Sequence, residues 1–190
     1  MDACRNGAPK DAQFASVAGM TTSLLSDAFR HHIWATERVL GACASLTPEQ
    51  LEMPVPGTYG SIIDTLRHIV QADSFYLTIF TEGRVELIDK QAKLGVEELR
   101  SKFSGYGGEY DALLASDLDP DADVVEREGD GSEFHSKMGL RLAQVVHHGS
   151  DHRSQICTAL TSLGVTPPDI DLWAYGNATG RTLDVSEAPA

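Results

Sequence analysis

Four segments of the chain carry apolar residues at the spacing of an α-helix, and this pattern limits the fold more than any other feature of the sequence. The segments span about residues 21–46, 61–82, 94–114 and 137–163. In the first, Leu25, Phe29 and His32 follow one another at intervals that only a period of 3.6 residues explains. Because no alternating strands separate the segments, the sequence predicts an all-α four-helix bundle.

Turn-forming residues divide the segments. Thr47-Pro48 ends the first helix, Ser61 is a candidate N-cap for the second, and Gly164 ends the fourth. The third pattern predicts a helix although it contains three glycines, each of which costs roughly 1 kcal/mol relative to alanine. Before the fourth helix, residues 124–127 and 132–135 flank a Gly-Asp-Gly turn signal and predict a small β-hairpin in that connection.

These patterns predict one bundle domain, residues 21–176, between a flexible N-terminal tail, residues 1–20, and a flexible C-terminal tail, residues 177–190. Within the bundle, we expect the segment Ile170–Tyr175 to dock on the helices. A second helix that is apolar on two sides is expected to pack against more than one neighbour.

Charge and cysteine content exclude several classes of partner. The chain has 28 acidic and 15 basic residues and a formal net charge of -13, so nucleic acid and anionic membrane surfaces are not expected to bind. No apolar stretch reaches the length that spans a bilayer. Cys4, Cys43 and Cys157 form no CxxC pair, which suits a reducing compartment, and we expect a cytoplasmic protein.

Two histidines on the fourth helix indicate a metal site. His148 and His152 are four residues apart, lie beside the apolar stripe and can reach one ion, whereas His147 falls on the opposite face and is expected to contact water. His68, on the apolar second helix, is the candidate third ligand. The alternative is that these histidines form hydrogen bonds inside the bundle, since a buried imidazole needs a partner of some kind.

The other polar candidates are weaker. His32 is expected to pack in the apolar stripe of the first helix, His31 to be solvated, and His135 is a minor candidate for an extra ligand. Asp64, four residues before His68, is positioned either to accept the second ring N–H of His68 or to stabilise the start of the helix.

The chain resembles the DinB/YfiT-like superfamily over about residues 21–176, and two stretches carry the resemblance. They are Gly-Ser-Ile-Ile-Asp-Thr-Leu-Arg-His, ending at His68, and His-His-Gly-Ser-Asp-His-Arg-Ser-Gln, from His147 to Gln155. The resemblance implies an up-down-down-up helix order and metal ligands at His68, His148 and His152. It also marks Arg153 and Gln155 as residues that line the pocket or support the ligands, and it is compatible with a homodimer. The chain departs from the family pattern at His147, Asp151 and Ser154, none of which is a ligand position.

Three neutral imidazoles leave open positions on a divalent ion, as catalytic sites do. We expect zinc first, with nickel, iron or manganese as alternatives. By resemblance to bacillithiol and mycothiol S-transferases, the expected reaction activates a low-molecular-weight thiol for transfer to, or isomerisation of, a small electrophile. The alternatives are hydrolysis of a small ester or amide and a non-catalytic, metal-stabilised binding protein.

Overall fold

The computed structural model describes residues 23–127 and 129–183, and this part of the chain is mainly helical. Its elements in chain order are α1 (Ser26–Cys43), α2 (Pro48–Glu52), α3 (Ile62–Phe80), α4 (Val96–Phe103), α5 (Tyr106–Leu114), β1 (Asp123–Arg127), β2 (Glu133–Lys137), α6 (Met138–Ser162) and α7 (Leu172–Thr179). The prediction of a helical protein with a small hairpin before the last long helix is confirmed. Among the described helices, none has both the length and the hydrophobicity needed to cross a membrane.

The predicted tails are only partly described. Residues 1–20 and residues 184–190 lie outside the described residues. Helix α7 continues to Thr179, past the predicted end of the bundle domain at residue 176, and Arg181 beyond it pairs with Asp27 of α1. Arg181 therefore contacts the surface of α1 from beyond residue 176.

Local sequence signals explain the ends of α3 and α6. Ser61 Oγ accepts the backbone N–H of Asp64 at 3.2 Å and caps α3, as predicted. After α6, Gly164 has a φ of +73°, a left-handed conformation that glycine adopts without strain. The N–H of Val165 then donates to the carbonyl of Leu160 at 2.9 Å, which closes the helix.

The third predicted helix is in fact two helices, so the prediction of one helix over residues 94–114 is wrong in this respect. The chain turns at Ser104 and Gly105, next to the glycines that weaken helix propensity. Phe103 before the turn and Tyr106 after it are both buried, with 0% and 6% of their surface exposed. Both helices therefore contribute a large aromatic side chain to the core next to the turn.

The short helix α2 was not predicted, because Thr47-Pro48 signals the end of one helix and also begins the next. Thr47 Oγ1 accepts the N–H of Gln50 at 3.3 Å, and Gln50 Oε1 accepts the N–H of Thr47 at 3.0 Å. Pro48 occupies the first helical position, where its missing N–H costs nothing.

The predicted hairpin is held against α6. Strands β1 and β2 pair antiparallel with Val125 opposite His135, and β2 leads directly into α6. The Arg141 side chain of α6, which is 6% exposed, forms an ion pair with Glu126 of β1. This shielded pair fixes the hairpin at the N-terminal end of α6.

The hydrophobic core lies between α1, α3, α4, α5 and α6, and its fully buried members include Phe29, Leu66 and Leu160. Helix α3 has two apolar sides, as expected. One side is buried in this core. The other, with Ala72 and Phe75, is half-buried and faces a cleft beside the candidate site.

Helix α7 and the segment before it dock on α1, partly through His31. The Nε2 atom of His31 donates to the carbonyl of Ile170 at 2.8 Å, and its ring lies edge-on to Tyr175 with centroids 5.8 Å apart. The prediction that His31 is solvated is therefore wrong, since its ring is half-buried. Burial lowers the pKa of His31, and the hydrogen bond to Ile170 acts in the opposite direction.

A chain of polar side chains crosses the apolar core and joins four helices. His32 of α1 is fully buried, as predicted, and its Nε2 lies 3.0 Å from Asp73 Oδ1 on α3. The hydroxyl of Tyr110, on α5, donates to the same oxygen at 2.7 Å. On α6, Arg153 Nη1 lies 3.0 Å from His32 Nδ1 and also donates to Thr36 Oγ1 at 3.0 Å.

The chemistry of Arg153 determines the protonation of His32. A guanidinium can only donate, so His32 Nδ1 must accept and the proton of the neutral ring lies on Nε2, which donates to Asp73. Burial lowers the pKa of Arg153 to about 10, which leaves it cationic at neutral pH. A buried charge costs several kcal/mol unless it is paired. The ring of His32 contacts both the Arg153 guanidinium and the Asp73 carboxylate, so each charged group has a hydrogen-bond partner.

Gly149 permits this network to reach α6. A Cβ atom at this position would lie 2.4 Å from His32 Cε1 and 2.7 Å from Arg153 Nη1, closer than any side chain tolerates. Both neighbouring groups are held by hydrogen bonds and cannot move aside without breaking them. The absence of a side chain at residue 149 is therefore a requirement of the packing between α1 and α6.

We predict that Gly149→Ala lowers the free energy of unfolding by about 1–3 kcal/mol, because the added methyl overpacks a rigid site. Urea denaturation measures the effect. The control is Gly41→Ala, on the exposed side of α1, where no atom lies within 4 Å of the new Cβ. This control should raise stability by about 0.5–1 kcal/mol through helix propensity alone. Equal effects of the two substitutions would contradict the close approach of His32.

We also predict that burial of His31 makes stability depend on pH. Its folded-state pKa is lower than the ordinary histidine value of about 6.5, so the unfolded chain binds more protons in the window between the two values. Stability should therefore fall as the pH drops from about 7.5 through that window. The His31→Gln variant has no titratable group at this position. The difference between its free energy of unfolding and that of the wild type should therefore shift in favour of the variant as the pH falls.

Urea titrations of chelator-treated protein at several pH values test this expectation. His147→Gln replaces an exposed imidazole in the same way and is the control. A pH dependence of equal size in the two variants would show that burial of His31 has no effect.

Candidate metal centre

Three half-buried histidines meet where α3 packs against α6. His68 comes from α3, and His148 and His152 come from successive turns of α6. One ring nitrogen of each lies within 4.8 Å of the others, so the cluster could hold a metal ion. The structure thus brings together the three residues that the sequence analysis selected, while metal binding itself stays a prediction.

The spacing of the nitrogens fits a small divalent ion. His68 Nε2 and His148 Nε2 are 2.9 Å apart, and the three ring centroids are separated by 4.5 to 4.7 Å. Two imidazole nitrogens bound to a tetrahedral zinc ion lie about 3.3 Å apart, given bonds of about 2.0–2.1 Å. The rings would have to separate by only a few tenths of an ångström, which side-chain rotation supplies.

The rotation of α6 decides which histidines face the site. His147 is exposed, so the prediction that it faces solvent is confirmed. His135 is also exposed and pairs with Glu133 in the hairpin at 3.0 Å. His32 belongs to the core network described above. The three remaining candidates for ligands are therefore those that share the interface between α3 and α6.

Gln155 orients one of the ligands. Its Oε1 lies 3.1 Å from His152 Nδ1 and accepts the backbone N–H of Tyr59 at 2.9 Å. The amide oxygen can only accept, so Nδ1 of His152 carries the proton and Nε2 is free to bind an ion. Gln155 thus contacts a candidate ligand, and its role in supporting a bound metal stays a prediction.

Tyr59 is a site residue that the sequence analysis missed. Its ring stacks on His68 with centroids 4.2 Å apart and planes 13° apart, and it meets His152 edge-on at 5.1 Å. It lies in the proline- and glycine-rich loop before α3, and such a loop has no period from which to infer where a side chain points. The hydrogen bond to Gln155 fixes the loop at this position.

Asp64 and Arg153 have different roles from those expected at a pocket. Asp64 accepts a hydrogen bond from Ser61 Oγ at 2.8 Å and pairs with Arg67 at 3.2 Å, so it stabilises the start of α3. Within residues 23–127 and 129–183, no hydrogen bond joins it to His68. Arg153 is 1% exposed and points into the core network, away from the ligand side of α6.

The site favours neutral imidazoles. Burial lowers the pKa of His148 to about 4, and the neighbouring His152 and His68 add to the shift. Burial also lowers the pKa of His68, followed by the effects of His152 and Lys90. Metal binding requires unprotonated rings, so these two ligands need release no proton at neutral pH.

A cleft of about 430 Å³ opens beside His68 and His148. One wall consists of the half-buried side of α3, and the other is the loop that follows α3. The walls are mainly apolar, with Ala72, Phe75, Tyr76, Leu87 and Ile88. Its volume is in the range of small-molecule sites, so a substrate could lie against the histidines.

The family model described as the DinB family matches residues 20–184, a span that includes α3, α6 and all three clustered histidines. A search of the curated proteins finds no significant match.

We predict that each chain binds one divalent ion and that His148→Ala and His152→Ala abolish this binding. Loss of a direct ligand should weaken zinc affinity by more than the roughly 10- to 100-fold that loss of an outer hydrogen-bond partner costs. Elemental analysis after dialysis against zinc, with titration calorimetry, provides the measurement.

The matched control is His147→Ala, which removes an adjacent but exposed imidazole from the same turn of α6. It should keep the wild-type metal content. Retention of metal by both ligand variants would refute the site, and equal loss in the control would mean that another surface binds the ion.

Proposed function

The chain belongs to the DinB family, and we propose that its three histidines hold a divalent ion that activates a low-molecular-weight thiol for transfer to, or isomerisation of, a small electrophile. The observation that carries the proposal is the cluster itself: three neutral nitrogen ligands beside a cleft of small-molecule size. When bound, an ion on such ligands retains open positions and deprotonates a coordinating thiol. Zinc is the metal we propose first, with nickel, iron or manganese as alternatives, because imidazole suits most of these ions.

The residues of the chain would prepare the site for this reaction. Gln155 holds the ring of His152 so that Nε2 faces the other ligands. Tyr59 covers one face of His68 and excludes water from that side. The apolar walls of the cleft would hold the electrophile next to the activated sulfur, and this proximity would replace a random encounter in solution.

We also propose the four-helix topology of the resemblance for this chain. In this arrangement α1, α3 and α6 are three helices of an up-down-down-up bundle, and α4 and α5 together take the place of the third helix in chain order. The long connection from α3 to α4 fits that order. The cysteines of the described part, Cys43 and Cys157, are both free, which suits the reducing cytoplasm that we propose as the site of the reaction.

We predict that zinc-loaded protein consumes thiol in the presence of an electrophile and that His68→Ala reduces this turnover to the uncatalysed rate. The panel combines bacillithiol, mycothiol and glutathione with general electrophiles, and thiol loss is followed over time. Activity should also fall at low pH, because protonated imidazoles release the metal.

His135→Ala is the control, since His135 is an exposed imidazole of the hairpin outside the cluster. Thiol turnover that survives His68→Ala would refute the proposal. Hydrolysis of simple esters or amides without thiol would favour a hydrolase, and metal-loaded protein inert toward both panels would favour a metal-stabilised binding protein.

A further inference from the structure

The cleft beside the histidines has one wall that α3 holds rigidly. Three side chains of α3 bind the backbone of the following loop, at intervals that place them on one side of the helix. Thr78 Oγ1 donates to the carbonyl of Val85 at 2.9 Å, and Ser74 Oγ accepts the N–H of Ile88 at 3.1 Å. Gln71 Nε2 donates to the carbonyl of Asp89 at 3.0 Å. The loop that forms the outer wall is thus preorganised.

Lys90 comes at the end of this fixed loop and lines the cleft. Among the described residues, it forms no salt bridge, although the chain as a whole carries a net charge of -13. The acidic residue that lines the cleft, Glu126, is already paired with the shielded Arg141. Among the described charged side chains that line the cleft, Lys90 is therefore the one without a partner of opposite charge.

We infer that the cleft binds a substrate with a flat apolar body and an anionic group, and that Lys90 pairs with the anion while the body lies between Phe75 and Leu87. That this molecule is the electrophile of the reaction rests on the proposed function, whereas its binding in the cleft does not. Leu87 supports it, because a leucine that is 49% exposed at the mouth of a cleft gains a partner when an apolar ligand enters.

Electrostatics favours the anion locally in spite of the acidic surface. Charges more than about 10 Å away are largely screened at physiological salt, so the net charge of the chain has little effect inside the cleft. Lys90 acts at short range, and it lines the same cleft as His68. An anion on Lys90 would therefore lie near the histidine cluster, with the apolar body beside it.

The test measures binding of two probes to the zinc-loaded full chain by titration calorimetry. The probes are 2-naphthalenesulfonate and its neutral isostere, 2-naphthyl methyl sulfone. Lys90→Met should weaken the sulfonate by about fivefold, the upper range for an exposed ion pair, and leave the sulfone unchanged. The control is Lys93→Met, at an exposed lysine that does not line the cleft, and it should change neither probe.

Two results would overturn the inference: equal affinity of the wild-type chain for the two probes, or a sulfonate preference that Lys90→Met leaves intact. If that preference instead disappears when a chelator removes the zinc, the anion binds the ion and the role of Lys90 is refuted. Because the measurement needs no turnover, the outcome is separate from that of the thiol reaction. Binding as expected without thiol consumption would refute the reaction and retain the anion site.

Discussion

The contact between Arg153 and Asp73 through the neutral ring of His32 is the interaction on which the rest of the structure depends. It places a cation of α6 and an anion of α3 inside an apolar core, where neither would be tolerated alone. The ring between them fixes both the separation of the helices and the rotation of α6. With that rotation set, His148 and His152 face α3 and His147 faces water.

Periodicity was sufficient to predict the long helices α1, α3 and α6 and the faces of the histidines on α6, because both follow from a regular backbone. A stripe of apolar residues on α6 defines an inner side, and the angular position of each histidine follows from it. The same reasoning placed His32 in the core. It did not work for His31, whose burial results from the docking of a segment distant in sequence, around Ile170.

The position of Tyr59 depends on a contact with a distant segment and could not be predicted from the sequence. Tyr59 and Gln155 meet at the site across 96 positions of chain, through a backbone hydrogen bond that no side-chain pattern encodes. Arg153 was expected near the pocket because the resemblance marks it. It directly follows His152, however, and neighbours on a helix point in directions about 100° apart. Its burial could be inferred only once His32 and Asp73 were known to face it.

The turn from His148 to Arg153 carries two interleaved pairs, each four residues apart. His148 and His152 form one, and Gly149 and Arg153 form the other, displaced by one residue toward the core. An insertion or deletion of a single residue within this turn would rotate one member of each pair out of place and damage the histidine cluster and the core at the same step. This stretch of α6 therefore does not tolerate a change of length, and it could be transplanted to another bundle only as a whole, together with His32 and Asp73, which contact Arg153 directly and through the ring.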